Sequence, residues 1–128
     1  MNHHAVINEY KTISISSKIE GAKTKHDFIR IVLEEVHNNM KKLSYSIQNE
    51  NKISKNKSDS FAQIITGLSI LMNSLDFEKG EPIASNLFNL YDYCRREIIQ
   101  SYKSLKIDGI KICMKIIEEL LSAWKKIK

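Results

Sequence analysis

The feature that most constrains the fold of this 128-residue chain is a set of apolar residues that recur every three or four positions in four separate segments. In the second segment, the apolar side chains are Phe61, Ile64, Ile65, Leu68, Leu71, Met72 and Leu75. This spacing places them on one face of an α-helix. The chain has only four glycines and one proline, which are few for a turn-rich protein and therefore favour long helices.

Polar and capping residues mark the start of the first two predicted helices. Thr24 and Asp27 have the spacing of a capping box, so we expect the first helix to begin at Thr24. We expect it to end in the polar stretch of residues 48–59, where Ser58 or Asp59 would cap the second helix. The first helix carries its own apolar stripe, which consists of Phe28, Val32, Val36, Met40, Leu43 and Ile47.

The connection between the second and third predicted helices has the sequence DFEKGEP at residues 76–82. Asp76, Lys79 and Gly80 are predicted to end the second helix, and Pro82 suits the first turn of the third. Asn86, one helical turn after Pro82, is also assigned a structural role in this connection. The connection is therefore predicted to end one helix and begin the next, and not to be a catalytic loop.

The remaining two stripes complete an all-α chain. The third helix is predicted on Ile83, Leu87, Leu90, Cys94, Ile98 and Leu105, and the fourth on Ile110, Met114, Ile117, Leu121 and Trp124. Asp108 and Gly109 are expected to break one helix and open the next. Four such helices bury their stripes as an antiparallel up-and-down four-helix bundle, which we assign to residues 24–128. Residues 1–23 are predicted to be an apolar N-terminal tail, partly ordered over the bundle.

Composition excludes several function classes. The net charge is +5 and the isoelectric point is near 9.2, but the lysines are dispersed and only three arginines occur, which disfavours nucleic-acid binding. Cys94 and Cys113 lie inside apolar helical patterns and are expected to be buried reduced thiols. The sequence has neither a run of about 20 apolar residues nor a secretory signal, so we expect a cytoplasmic protein without membrane insertion.

Residues for catalysis or metal binding are scarce. Glu34 with His37 matches one Glu-x-x-His fragment of a di-iron bundle, but that site requires the fragment twice. The adjacent acids Glu118 and Glu119 point about 100° apart on a helix and cannot face one reacting atom. There is no phosphate-binding glycine loop, nucleophile elbow or zinc spacing. We therefore expect no catalytic residue, no metal and no cofactor, and we predict that the protein is not an enzyme.

The helices carry more apolar residues than one core requires, since a core-facing helix needs about three in seven. The fourth helix has a second line formed by Ile112, Ile116, Leu120, Ala123 and Ile127. The surplus on the third and first helices comprises Ala84, Phe88, Tyr91, Tyr102, Ile29 and Leu33. One explanation is that each helix packs against two neighbours and that the tail covers the remaining apolar residues. The other is that the surplus apolar residues form a groove for a partner's amphipathic helix.

Residues 74–93, SLDFEKGEPIASNLFNLYDY, resemble the pattern S-L-D-x-x-K-G-x-x-I-A-x-N-L-x-x-L-Y-x-Y of the FliS family of flagellar export chaperones. Residues 118–124, EELLSAW, are similar to the closing helix of that family. The chain departs from the family where Thr24-Lys25 replaces Ser-Pro and where residues 33–36 replace a Tyr-Asp-Gly-Ala run. Thr24 still supplies a cap, so the expected architecture is unchanged.

The resemblance implies a cytosolic helical-bundle chaperone that binds the C-terminal segment of flagellin, prevents its premature polymerisation and supports its export. Further partners would be the flagellar export apparatus or a co-chaperone, with no nucleic acid, and the chaperone would be a monomer or a weak dimer. The alternative is a helical regulatory or nucleic-acid-binding domain. Ile7 and Tyr10 of the tail are predicted to shield the partner groove. The groove itself is predicted on Ile83, Leu87, Leu90, Tyr91, Ile112, Ile116 and Leu120.

Overall fold

The computed structural model describes residues 22–50 and 54–127, and these residues form four helices. They are α1 (Lys25–Asn49), α2 (Lys55–Asn73), α3 (Ile83–Ser104) and α4 (Asp108–Lys126). Each helix packs against the next one in the chain, and α4 packs back against α1. The predicted all-α four-helix bundle is therefore confirmed, while the apolar tail lies outside the described residues.

The core lies along the axis of this bundle and is built from the predicted stripes. Fully buried apolar side chains come from all four helices and include Val32, Val36, Met40, Leu68, Ile98 and Ile117. The surplus residues Ile29, Leu33, Ala84 and Tyr91 are also buried. Because each helix contacts two neighbours, its buried arc is wider than a single stripe. This accounts for part of the surplus apolar surface without a partner.

The first helix begins as predicted, whereas the second begins earlier. The Thr24 hydroxyl oxygen accepts a hydrogen bond from the backbone N–H of Asp27 at 3.1 Å, which confirms Thr24 as the cap of α1. The cap of α2 is Ser54, whose hydroxyl oxygen accepts from the Lys57 N–H at 3.2 Å. The prediction of Ser58 or Asp59 was wrong because the first turn of α2 has no apolar side chain to reveal its periodicity.

The connection between α3 and α4 also differs from its prediction. Leu105 was assigned to the third helix, but α3 ends at Ser104, and Leu105 adopts the left-handed conformation with φ 58° and ψ 34°. Its N–H donates to the Ser101 carbonyl oxygen at 2.8 Å, which closes the last turn. The predicted break at Asp108 therefore occurs three residues earlier, and Asp108 is the first residue of α4.

Candidate functional site

An apolar pocket of about 360 Å³ lies at the end of the bundle where α1 and α3 begin and where α2 and α4 end. Helices α1, α3 and α4 contribute to its wall, together with the connection between α2 and α3. The large apolar side chains that line it are Ile29, Leu75, Ile83, Leu87, Tyr91 and Trp124. Eight lining residues (Ser74, Leu75, Asp76, Gly80, Ile83, Ala84, Leu87 and Tyr91) belong to the segment 74–93.

The connection after α2 is held by hydrogen bonds to Asp76. One carboxylate oxygen of Asp76 accepts from the N–H groups of Glu78 and Lys79, at 3.0 and 3.1 Å, and its carbonyl oxygen accepts from Gly80 at 2.8 Å. A Cβ atom on Gly80 would lie 2.6 Å from that carbonyl oxygen, so the position requires glycine. These contacts fix the turn that forms the pocket rim.

The start of α3 is fixed by backbone and side-chain contacts around its N-terminus. Pro82 occupies the cap position, and its carbonyl oxygen accepts from the Asn86 N–H at 3.2 Å. Pro82 itself provides no side-chain cap, but the Glu81 carboxylate accepts from both the N–H and the hydroxyl of Ser85, at 2.7 and 2.6 Å. The sequence did not indicate this role of Glu81.

One wall of the pocket is formed by a contact between α1 and α4, which are far apart in the sequence. The indole N–H of Trp124 donates to the His26 carbonyl oxygen at 3.0 Å, and the His26 Nε2 atom lies 2.9 Å from the Trp124 carbonyl oxygen. The two rings are stacked with centroids 5.2 Å apart. The sequence pattern predicted that Trp124 belongs to the apolar stripe of the fourth helix. It gave no signal for His26, which contacts Trp124 although the two residues are 98 positions apart in the sequence.

Tyr91 lies at the base of the pocket and is only 4% exposed. Burial, with a smaller contribution from the neighbouring Cys94 thiol, raises the pKa of Tyr91 to about 12. The hydroxyl therefore stays protonated at neutral pH. Tyr91, which the sequence analysis assigned to the partner groove, is thus a core residue that also contributes to the pocket wall.

The other predicted partner-binding residues lie along α3 and α4. The Cys113 sulfur lies 3.9 Å from the Cys94 carbonyl oxygen, which sets the register of the two antiparallel helices. This register brings Ile116 and Leu120 beside the N-terminal half of α3. We define the α3–α4 groove by Leu87, Leu90, Ile112, Ile116 and Leu120.

The α3–α4 groove is partly open. Ile112 is 51% exposed, while Leu90, Ile116 and Leu120 are half-buried. Leu87 belongs to both the groove and the pocket wall, and Ile83 on the pocket rim is 66% exposed. Ile7 and Tyr10 lie outside the described residues. The assignment of the groove residues to partner binding stays a prediction.

A second apolar feature lies beside the connection between α2 and α3. Phe77 and Phe88 form an edge-to-face pair with ring centroids 6.0 Å apart, and both side chains are exposed. Phe88 was noted as a surplus apolar residue, whereas Phe77 was not singled out. An aromatic residue inside an otherwise polar turn is the signal that would have indicated it.

The candidate residues for chemistry are occupied by other side chains. Glu34 forms an ion pair with Arg30 at 2.8 Å, and the Nε2 atom of His37 lies 2.9 Å from a carboxylate oxygen of Glu118 on α4. Within residues 22–50 and 54–127, no group of three or more histidine, cysteine, aspartate or glutamate residues is placed to hold a metal ion. The structure therefore does not place Glu34 and His37 in a metal-binding group.

Asp92 of α3 forms ion pairs with two arginines on the surface of the same helix. Asp92 contacts Arg95 at 2.5 Å and Arg96 at 3.3 Å. The hydrogen bond from Arg95, together with the charges of both arginines, lowers the pKa of Asp92 from its ordinary value.

None of the four helices described here is both long and apolar enough to cross a membrane.

The fold and the site define a small four-helix-bundle protein with an apolar pocket at one end and partly exposed apolar side chains along α3 and α4. The chain belongs to the FliS family, because the family model described as flagellar protein FliS matches residues 6–128. It is 26% identical over 121 residues to the flagellar secretion chaperone FliS of Salmonella typhimurium. That match covers 94% of this chain and 88% of the relative. The family predicted from residues 74–93 and 118–124 is thus confirmed, and it is a family of chaperones and not of enzymes.

Proposed function

We propose that this protein is a cytoplasmic flagellar export chaperone that binds the C-terminal segment of flagellin, keeps it from polymerising early and supports its export. The observation that carries the proposal is that Leu87 of the predicted α3–α4 groove also lines the end pocket, while Ile112 of the same groove is exposed. Membership of the FliS family and the similarity to the flagellar secretion chaperone of Salmonella typhimurium support the chaperone role. The choice of flagellin's C-terminal segment rests on the resemblance of residues 74–93 to that family.

The groove suits an amphipathic helix of the client. Its apolar side chains on α4 recur at positions 112, 116 and 120, so a client helix with anchors three or four residues apart can lie along them. Ile83 and Leu87 at the pocket rim would then receive a further apolar side chain. A segment that folds on binding loses conformational entropy, so tight binding requires a buried area on the order of 2,000 Å².

The N-terminal tail supplies a mechanism for protecting the groove in the free chaperone. Ile7 and Tyr10 cover part of the groove until flagellin displaces them. The first described residue, Ala22, is close in sequence to Lys25 and His26 of the pocket wall, so the tail begins beside the site. Contacts with the export apparatus or a co-chaperone would use surfaces that flagellin leaves free.

Calorimetry with a peptide of the flagellin C-terminal segment tests the proposal. Binding is expected with a large negative heat-capacity change, because burial of apolar surface has this signature. A salt-dependent shift with duplex DNA, together with no heat from the peptide, would favour the nucleic-acid-binding alternative. Absence of peptide binding by the folded chain would contradict the proposal.

A matched pair of variants locates the binding surface. Ile112→Asp places a charge in the groove, whereas Tyr45→Asp changes another exposed apolar residue, which is 69% exposed on α1. We expect Ile112→Asp to weaken peptide binding by about tenfold or more, because a charge would be buried in an apolar contact. Tyr45→Asp should leave affinity unchanged. Equal effects of the two variants would exclude the groove as the binding surface.

Removal of residues 1–17 tests the tail separately. If the tail covers the groove, the shortened chain should bind the peptide with altered affinity or self-associate through the uncovered apolar surface. Titration calorimetry and sedimentation measure the two effects. An unchanged affinity together with an unchanged monomer would reject the role of Ile7 and Tyr10 while leaving the chaperone proposal intact.

A further inference from the structure

The two cysteines of the chain meet across the interface between α3 and α4. Cys94 and Cys113 are both fully buried, and the Cys113 sulfur lies 3.9 Å from the Cys94 carbonyl oxygen. Both thiols are free, and the Cys113 thiol donates a hydrogen bond to the Cys94 carbonyl oxygen. Two thiols with no other cysteine nearby are thus held side by side by two helices that are adjacent in the chain.

Small residues also occur at the end of this interface where α3 ends and α4 begins. A Cβ atom on Gly109 of α4 would lie 2.5 Å from the Oε2 atom of Glu97 and 3.1 Å from the hydroxyl oxygen of Ser101, both on α3, so the two helices are close there. A disulfide requires Cα atoms about 4.4–6.8 Å apart. Close backbones and inward-facing thiols are the two conditions for such a bond.

We propose that Cys94 and Cys113 form a reversible intramolecular disulfide that joins α3 to α4 when the protein meets a low-molecular-weight disulfide such as glutathione disulfide. Disulfides of this kind in reducing compartments are usually transient and redox-sensing. The bond would close a loop across the hairpin of α3 and α4 and fix the floor of the α3–α4 groove. It does not require that the protein bind flagellin.

The reaction proceeds by two thiol–disulfide exchanges. The Cys94 thiolate attacks one sulfur of glutathione disulfide, which forms a mixed disulfide and releases one glutathione thiolate. The Cys113 thiolate then attacks the Cys94 sulfur, and the second glutathione leaves. In sum, two protein thiols are oxidised, one glutathione disulfide is reduced to two glutathione molecules, and each leaving thiolate takes up one of the protons lost by the cysteines.

The order of attack follows from the proximity of the two thiols. The neighbouring Cys113 thiol lowers the pKa of Cys94, while the Cys94 thiol raises the pKa of Cys113. The thiolate is the nucleophile, so Cys94 reacts first. Because both residues are fully buried, the first exchange requires a local opening of α3 and α4, whereas closure restores the packed interface.

Equilibration in glutathione redox buffers tests the proposal with the full chain. At half oxidation, the squared concentration of reduced glutathione divided by that of glutathione disulfide gives the effective concentration of one cysteine toward the other. The fraction oxidised is read by alkylation and mass spectrometry. We expect this concentration to be about thirtyfold or more higher in the folded protein than in the same protein in urea, since a compatible fold and a disulfide stabilise each other. The urea sample is the reference, so the comparison needs no substituted protein.

Two controls sharpen the result. Cys94→Ala and Cys113→Ala should each abolish the intramolecular product, and the oxidised wild-type protein should unfold at higher urea than the reduced one. An effective concentration in the folded protein equal to or below that in urea would overturn the proposal. A folded protein that is oxidised only to dimers linked between chains would overturn it as well.

Discussion

Replacement of Gly67 by alanine tests how closely α1 and α2 pack. Gly67 is buried in the middle of α2, and a Cβ atom built on it would lie 2.4 Å from the Cγ2 methyl of Val36 on α1. Alanine in a helix interior is favoured over glycine by about 1 kcal/mol, so propensity alone predicts a more stable protein. The packing predicts the opposite outcome, and the two effects can be compared.

The steric effect is larger at this position. Val36 is fully buried and β-branched, so its methyl group can neither move into solvent nor rotate freely. Overpacking a core by one methyl group costs about 1–3 kcal/mol. After the gain in helix propensity, Gly67→Ala should lower the free energy of unfolding by about 1 kcal/mol. Urea unfolding measures this difference as a lower midpoint with an unchanged slope.

A double-mutant cycle with Val36→Ala isolates the contact. With the valine methyls removed, the new Cβ atom enters vacant space, and Gly67→Ala should then stabilise the protein by about 1 kcal/mol. The coupling energy between the two positions is therefore expected to be about 2 kcal/mol. If Gly67→Ala stabilises the wild-type protein as much as it stabilises the Val36→Ala protein, α1 and α2 are not in close contact there and the reasoning is refuted.

Three further predictions concern the pocket. Asp76→Ala removes the acceptor of two backbone N–H groups and should lower the free energy of unfolding by about 1 kcal/mol. Asp76→Asn keeps an acceptor oxygen and should retain most of that stability. Equal losses for the two variants in denaturant unfolding would refute the role of Asp76 in the turn. Burial raises the pKa of Tyr91 from 10.0 to about 12, so the neutral form favours folding below pH 10. As pH rises from 10 to 12, about 3 kcal/mol should be lost, and Tyr91→Phe should lack this loss in the difference between the two unfolding curves. Trp124 is the only tryptophan, so a peptide that enters the pocket should shift its fluorescence to shorter wavelength, and a bound peptide without any shift would place binding elsewhere.

The fold was largely predictable because its core depends on apolar spacing, which is a local property of the sequence. Val32, Val36, Met40 and Leu43 repeat with helical period, and all four are fully buried. The start of α1 was predictable for the same reason, since Thr24 and Asp27 are neighbours in the sequence.

The missed helix boundaries depend on features that the apolar spacing does not reveal. Lys57 is buried, and its ammonium group donates to the Glu50 carbonyl oxygen at the end of α1, so a lysine that looks like a loop residue is part of α2. Leu105 fits the apolar stripe of α3 but takes a left-handed conformation that closes the helix. Neither arrangement has a local signal, because lysine is usually exposed and leucine rarely adopts positive φ.

The site was predictable only in part. The apolar residues of α3 and α4 indicated a surface, but the choice between core and groove depends on which residues the neighbouring helices cover. Tyr91 is covered and Ile112 is not, although both were surplus positions on amphipathic helices. Spacing along one helix cannot distinguish these cases, since burial is decided by side chains on other helices.

The position of the pocket has a consequence for how a ligand affects stability. His26 and Trp124 lie 98 residues apart and form one wall, while Gly80 and Ile83 on another side belong to the connection between α2 and α3. The pocket therefore exists only when α1, α3 and α4 are packed together with this connection. A ligand that fills it binds the folded state alone and adds about 2.7 kcal/mol to the free energy of unfolding at a concentration 100 times its Kd. A peptide that contacts only the exposed line of α4 need not do so, because a separate α4 helix in a partly unfolded chain would present the same line.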